Sequence, residues 1–117
     1  MSDSDIIKCS SMVKRAQGKS TFGLINLRKR VFVLTRLKLC YYDGTLDKHG
    51  NLKGEIALST VRAVEPTADR AFDNPAFQVV YGSAPHQLTL YVLASDVHQQ
   101  REWVEALREL CLSLIHI

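Results

Sequence analysis

The stretch QLTLYVLASDVHQQREWVEALRELCL, residues 87–112, changes its hydrophobic period from that of a strand to that of a helix. Its first eight residues are rich in β-branched and apolar side chains, as in a strand. Its second part carries an apolar residue at i, i+4, i+7 and i+8, namely Trp103, Leu107, Leu110 and Cys111. This spacing predicts a helix over 95–112 whose apolar stripe covers a core, with Ser95 as its N-cap.

Short segments with strand composition precede this helix and are separated by turn signals. We predict seven strands, at residues 8–15, 28–35, 37–42, 54–58, 61–65, 77–81 and 87–94. Residues 66–75, PTADRAFDNP, are predicted to form a loop. Many short antiparallel strands followed by one amphipathic helix favour an open barrel that the helix closes at one end.

The composition is that of one soluble globular domain spanning residues 1–117, with a core from about residue 7 to residue 112. Apolar residues make up 46% and charged residues 23% of the chain. The N-terminus, MSDSDIIK, lacks the pattern of a signal peptide, and no apolar run approaches a membrane span. Three widely spaced cysteines favour reduced thiols in the cytosol, and no Cys/His spacing predicts a metal site. No cofactor is expected.

The basic residues are concentrated in the first third of the chain. Residues 1–40 hold nine Lys or Arg and two Asp, a balance of +7, whereas residues 41–117 have a balance of −4. A chain polarised in this way presents a positive end to an anionic partner, which can be a lipid surface, a phosphate ligand or a nucleic acid. The simpler alternative is a solvated basic face.

The segment AQGKSTFG at residues 16–23 contains GKST, the end of a nucleotide-binding phosphate loop. That motif needs a glycine five places before Gly18, where this chain has Val13, and it needs a helix directly afterwards. The residues that follow are strand-like instead. A nucleotide site is therefore disfavoured, although a hairpin loop with two glycines and a lysine can still contact phosphate through its backbone.

The layout and several motifs resemble a pleckstrin-homology (PH) domain. KRAQG, followed by FG, Asn26 and RKR, is similar to the PH domains of inositol-phosphate-binding Ras GTPase-activating proteins. KLCYYDG, LKGEI, VRAVE, FQVVY and LYVLAS are similar to those of Tec-family tyrosine kinases. The resemblance covers about residues 7–112 and implies two near-orthogonal antiparallel sheets of seven strands, capped by a C-terminal helix with a Trp. The zinc motif of one His and three Cys that follows in both families is absent, so the chain is either cut short of it or a standalone relative.

The resemblance implies an inositol phosphate site, because the families' contact residues match Lys14, Asn26, Arg30 and Tyr41, and a Lys between strands three and four matches Lys53. In such a site an arginine would form a bidentate phosphate contact, and a lysine would bridge neighbouring phosphates. A tyrosine hydroxyl and an asparagine amide would fix the orientation of the ligand.

The residues themselves give this hypothesis a geometry. Side chains alternate along a strand, so Arg28 and Arg30 share a face while Lys29 points the other way. We expect Lys14 to lie across from Arg30, and the loop with Lys19 and Ser20 to fold over them. The loop also departs from the related domains, which carry a second Lys or Arg at the positions of Ser20 and Thr21.

Each site residue has a simpler alternative. Lys14 and Arg28 would be ordinary exposed strand residues, Asn26 a turn residue, and Tyr41 a core residue with a locally satisfied hydroxyl. The position of Lys53 is inferred across gapped turns. These alternatives remain open at the level of sequence.

The predicted function is a module that binds phosphoinositide lipids and brings a signalling protein to the inner face of the plasma membrane. The expected ligand is phosphatidylinositol 3,4,5-trisphosphate, with inositol tetrakisphosphate as its soluble analogue. The alternative is a protein-interaction PH domain that binds a partner through its helix or a sheet edge and contacts anionic lipid only weakly. No nucleic-acid motif or catalytic constellation is found, so neither nucleic-acid binding nor an enzyme is expected.

Overall fold

The computed structural model describes residues 5–15, 27–69, 74–83 and 85–115 of the chain. Within them the chain forms seven strands, one short 3₁₀ segment and one α-helix. The strands are β1 (Lys8–Arg15), β2 (Leu27–Leu34), β3 (Lys38–Tyr42), β4 (Leu52–Ala57), β5 (Val61–Asp69), β6 (Asn74–Tyr81) and β7 (Leu88–Leu93). The helix, α1, spans Val97–Ile115, and the 3₁₀ segment spans Leu58–Thr60.

The seven strands form one continuous antiparallel sheet in the order β4-β3-β2-β1-β7-β6-β5. The two sheets expected from sequence are joined where β1 pairs with β7, over Val13–Leu93, Lys14–Val92 and Arg15–Tyr91. The sheet is curled into an open barrel whose two edge strands are β4 and β5. The mainly β, helix-capped fold class predicted from sequence is therefore confirmed.

The helix closes one end of this barrel, as its apolar stripe predicted. Trp103 and Leu107 are 0% exposed, and the Trp103 indole Nε1 donates a hydrogen bond to Ser10 Oγ at 3.0 Å. On the same row of β1, Lys8 Nζ lies 2.8 Å from Glu102 Oε2 of the helix. Because Lys8, Ser10, Met12 and Lys14 alternate onto one face, the helix covers the Lys8 end of that row and leaves the Lys14 end uncovered.

The predicted loop at 66–75 is wrong over most of its length. β5 continues to Asp69 and β6 begins at Asn74, with Pro66 paired in register with Phe77. Proline normally ends a strand because it has no N–H to donate, but β5 lies at the sheet edge, where that donor would have no strand partner. Strand neighbours thus overrode the turn-like composition of the segment.

The ends of the helix also differ from the prediction. Asp96 is the N-cap in place of Ser95, since its Oδ1 accepts a hydrogen bond from the Gln99 backbone N–H at 2.8 Å. Ser95 instead donates its backbone N–H to Gln99 Oε1 at 2.7 Å. At the other end the helix continues through Ile115, three residues beyond the predicted end at Leu112.

The β3–β4 connection contacts the outer face of the sheet. The His49 ring lies 5.5 Å from that of Tyr42, and its Nε2 lies 3.8 Å from Cys9 Sγ. On the same face Val33 and Cys40 are buried. Cys9, Cys40 and Cys111 are free thiols, of which Cys40 is buried.

A candidate anion site at the open end of the barrel

Three cations lie where the inner face of the sheet leaves the core. Along β2 the inner row runs from Phe32, which is 1% exposed, through half-buried Arg30 to exposed Arg28. On β1 the same row runs from buried Met12 to half-buried Lys14. Arg28, Arg30 and Lys14 therefore share the inner face at the end of the barrel that the helix does not cover. We call this end the mouth.

The expected pairing of Lys14 with Arg30 is wrong. Lys14 lies directly opposite Arg28, and Arg30 lies opposite Met12. The register differs from the expected one by two residues, and a shift of two keeps every side chain on its face because the period of a strand is two. Lys14 and Arg30 are consequently diagonal neighbours on one face, close enough for their charges to interact.

The electrostatics of the mouth are those of cations held close together. Burial lowers the pKa of Lys14, and the positive charge of Arg30 lowers it further. Arg30 donates from Nη1 to the backbone oxygen of Lys29 at 3.0 Å, while its Nε is buried without a hydrogen-bond partner among the described residues. A buried donor without a partner is costly, so an anion that accepted this N–H would be stabilised.

Tyr41 connects the mouth to the core. Its ring packs 5.6 Å from that of Phe32, and Lys14 Nζ lies 5.4 Å from the ring centre on the mouth side. Burial raises the pKa of the Tyr41 hydroxyl, the nearby Tyr81 raises it further, and Arg30 opposes both. Tyr41 therefore serves as a partly buried core residue and also supports Lys14.

Lys53 lies at the edge of this arrangement and is paired with an acidic residue of the β3–β4 connection. Lys53 Nζ is 3.7 Å from Asp43 Oδ2, and Asp43 Oδ1 accepts the backbone N–H of Asn51 at 2.8 Å. The bond from Asn51 lowers the pKa of Asp43, and so do the charges of Lys53 and Arg30. Asp43 thus places a negative charge beside the cations.

Sequence reasoning missed two residues of the mouth, Asp43 and Tyr81. Asp43-Gly44 has the composition of a turn, which hides the proximity of the carboxylate to Arg30. Tyr81 belongs to β6, far from β2 in sequence, and reaches the same mouth only because the sheet curls. Neither residue carries a local signal that could have identified it.

The remaining predicted site residues differ in what the structure says of them. Lys19, Ser20 and Asn26 lie outside the described residues, so their contacts stay predictions. Lys29 pairs with Val13 on the outer face and is exposed, as strand alternation predicted. It is a cation of the same strand that does not face the mouth.

Among the residues that the structure describes, no group of three or more His, Cys, Asp and Glu is arranged to hold a metal ion. The one helix found in this part of the chain is not apolar enough over its length to cross a membrane.

Curated relatives match nearly the whole chain. It is 31% identical to the tyrosine-protein kinase Btk of Drosophila melanogaster over 92% of its length, and 32% identical to the human cytoplasmic tyrosine-protein kinase BMX over 84%. It is also 32% identical to human Ras GTPase-activating protein 2 over 86% of its length. The chain spans only 11–18% of these three relatives, which are much longer proteins.

Solved structures share the fold. The C-terminal PH domain of pleckstrin, in complex with D-myo-Ins(1,2,3,5,6)P5, matches 91% of this chain and 95% of its own with a TM-score of 0.69 and 20% identity. The Slm1 PH domain, in complex with inositol-4-phosphate, matches 92% of this chain and 96% of its own with a TM-score of 0.66, also at 20% identity. The family model for the PH domain matches residues 6–112. With its curled seven-stranded sheet and capping helix, the chain belongs to the PH-domain family.

Proposed function

We propose that this domain binds the phosphorylated head group of a membrane phosphoinositide at the mouth of its barrel. Lys14, Arg28 and Arg30 would contact phosphates, and Tyr41 would orient the ligand. The predicted contacts of Lys19, Ser20, Asn26 and Lys53 belong to the same proposal. Binding would bring the protein that carries the domain to the inner, cytoplasmic face of the plasma membrane.

The observation that carries this proposal is the state of Arg30. The buried Nε of Arg30 has no hydrogen-bond partner among the described residues. Arg30 lies diagonal to Lys14, and both burial and the charge of Arg30 lower the pKa of Lys14. A protein that needed these residues only for stability would gain by neutralising or exposing them. A polyanion would accept the unused donor and favour the charged form of Lys14.

The ligand proposed is phosphatidylinositol 3,4,5-trisphosphate, with inositol tetrakisphosphate as its soluble head-group analogue. A ligand with several adjacent phosphates would contact cations from two strands and a loop at the same time. Each such charge-assisted contact contributes about 1.5–3 kcal/mol. Inositol phosphates are the ligands of the pleckstrin and Slm1 domains that share this fold, which supports the ligand class. Asp43 opposes any anion at the mouth and would favour ligands that keep their phosphates near Arg30 and Lys14.

The test is a vesicle panel in which only the phosphoinositide varies, run at low and at physiological salt. Vesicles of phosphatidylcholine and phosphatidylserine, with and without the trisphosphate lipid, give the baseline. We expect selective binding to the trisphosphate vesicles that persists at physiological salt. Binding to every anionic vesicle, with a steep loss in salt, would reduce the interaction to general electrostatics and contradict the proposal.

A further inference from the structure

The edge of the sheet at β5 is covered by the helix along its middle and its far part. Arg108 Nε donates to the backbone oxygen of Val64 at 2.8 Å, and Gln100 Nε2 donates to those of Thr67 in β5 and Ala76 in β6. Pro66, between Val64 and Thr67, has no N–H to offer. Side chains of α1 therefore bind backbone oxygens along β5 and help to cover this strand.

The beginning of β5 is arranged differently. The register with β6 shifts between Val61 and Ala63, so that Arg62 is an extra residue in the strand. Such bulges redirect side chains away from the regular pleat. Here the shift lies between two concavities of about 440 Å³ and 270 Å³, both lined by Val61 and Arg62.

Because they share these two residues, the concavities form one groove, which we call the β5–α1 groove. Its larger part is lined by polar residues that include Ser59, Thr60 and Ser83. Its smaller part lies between the strand and the helix and is mainly apolar, with Cys111 and Leu112 on the helix side. Leu112 is 56% exposed although it borders an apolar surface.

The charge of the groove has a single sign. Its charged lining residues are Arg62 and Arg108, and no acidic residue lines it within the described part of the chain. Each arginine is anchored through Nε, since Arg62 Nε donates to the backbone oxygen of Gly82 at 2.8 Å as Arg108 Nε does to Val64. Neither takes part in the ion pairs found among the described residues. The planar ends of both guanidinium groups thus remain available, in fixed orientations, for a carboxylate.

We propose that the β5–α1 groove binds an acidic peptide segment of a partner protein. Carboxylates of the segment pair with Arg62 and Arg108, and a large apolar side chain between them enters the part of the groove bordered by Val61 and Leu112. The groove shares no residue with the mouth of the barrel. A partner protein and a phosphoinositide would therefore bind at the same time, and the proposal stands independently of the proposed function.

The probe is a short synthetic peptide that alternates Glu with Leu, compared with a matched peptide in which Lys replaces each Glu. Amide chemical shifts of the domain are followed by NMR, with inositol tetrakisphosphate present in excess so that an anion already fills the mouth. We expect the Glu peptide to shift the amides of residues 61–64 and 108–112, and the Lys peptide to leave them unchanged.

Charge reversal gives the decisive variant. Arg62→Glu combined with Arg108→Glu should lower the affinity for the Glu peptide at least tenfold, because two charge-assisted contacts are lost. The doubly reversed variant should bind the Lys peptide more tightly than the Glu peptide. Leu112→Asp should also lower the affinity for the Glu peptide, because an apolar contact is lost and a repulsive negative charge is added. Leu37→Asp is the matched control, since Leu37 is also exposed, at 67%, and lies in the β2–β3 turn outside the groove.

An unchanged melting temperature shows that each variant is folded, so that a change in peptide binding can be assigned to the groove. Glu-peptide shifts confined to the mouth, equal binding of the two peptides by the reversed variant, or no shift in the groove would each overturn the proposal. If the wild-type domain does not bind the inositol phosphate head group but the Glu peptide still shifts the amides of the groove, only the proposed function is contradicted.

Discussion

Gly54 lies directly opposite Tyr41 across β3 and β4, and a Cβ on residue 54 would stand 2.1 Å from Tyr41 Cζ and 2.2 Å from its hydroxyl oxygen. Because Gly54 has no side chain, the Tyr41 ring can occupy the space above residue 54 of β4. The same ring packs against Phe32 and lies close to Lys14 Nζ.

Gly54→Ala is therefore expected to displace the Tyr41 ring. Overpacking of this kind costs about 1–3 kcal/mol in unfolding free energy. If Tyr41 orients the head group, affinity for inositol tetrakisphosphate should fall further than in Tyr41→Phe, which keeps the ring in place. Urea unfolding and calorimetric titration measure the two effects, and a Gly54→Ala variant with wild-type affinity would remove Tyr41 from the binding role.

Arg30→Ala should abolish head-group binding while leaving the domain folded. The buried Nε and the terminal guanidinium nitrogens are the donors that a phosphate would use, and Arg30→Lys should fail nearly as badly because an ammonium lacks the planar fork. Calorimetric titration with soluble inositol tetrakisphosphate measures both variants.

Lys29→Ala is the matched control for Arg30. It removes the same charge from the neighbouring position, but Lys29 pairs with Val13 on the outer face. It should lower only the general attraction to anionic vesicles. Equal losses of affinity in Lys29→Ala and Arg30→Ala would indicate bulk charge in place of a defined site.

Head-group affinity should decline at alkaline pH, starting below the ordinary lysine pKa of 10.5, because burial and Arg30 lower the pKa of Lys14. The protonated amine is the form that binds phosphate, and a bound phosphate raises its pKa, so binding takes up protons where free Lys14 is partly neutral. Titrations in buffers of different ionisation enthalpy measure this uptake. Lys14→Met should abolish the uptake and Lys29→Met should not; uptake that persists in Lys14→Met would assign it to another group.

Asp43→Asn should change the acid limb of the stability curve. The pKa of Asp43 in the folded state lies below its usual 3.8, so the carboxylate stabilises the domain above that value and loses this effect as the pH falls through the lowered pKa. The melting temperature of Asp43→Asn should therefore lie below that of the wild type near neutral pH, and the two should converge in acid. A difference that is constant with pH would contradict the assignment.

Trp103→Ala should cost about 3–5 kcal/mol of unfolding free energy through lost burial and the cavity left behind. The indole is 0% exposed and its N–H is used by Ser10. Ser10→Ala, which leaves that N–H without its partner, should cost about 1–3 kcal/mol. Urea unfolding compares the two variants; a Trp103→Ala domain of nearly wild-type stability would mean that the helix does not cap the core.

The sequence alone predicted the parts of the fold that depend on the spacing of apolar residues along the chain. The helix and the strands followed from the recurrence of apolar side chains, and the shared face of Arg28 and Arg30 followed from strand alternation. The predictions from sequence were wrong where a neighbouring strand or side chain determined the local structure. Pro66 reads as a loop residue, yet it lies within a strand because β6 pairs with it and the sheet has an edge there.

The sequence by itself thus determined the element types, the burial of Trp103 and the presence of basic side chains on one face of β2. Only the tertiary structure decided that Lys14 pairs with Arg28, that Asp43 and Tyr81 enter the mouth, and that Arg62 and Arg108 border one groove. The physical reason is that alternation and helical spacing depend on covalent geometry within a segment. Register and the meeting of distant strands depend on how the whole sheet curls to bury its inner face, which no single segment encodes.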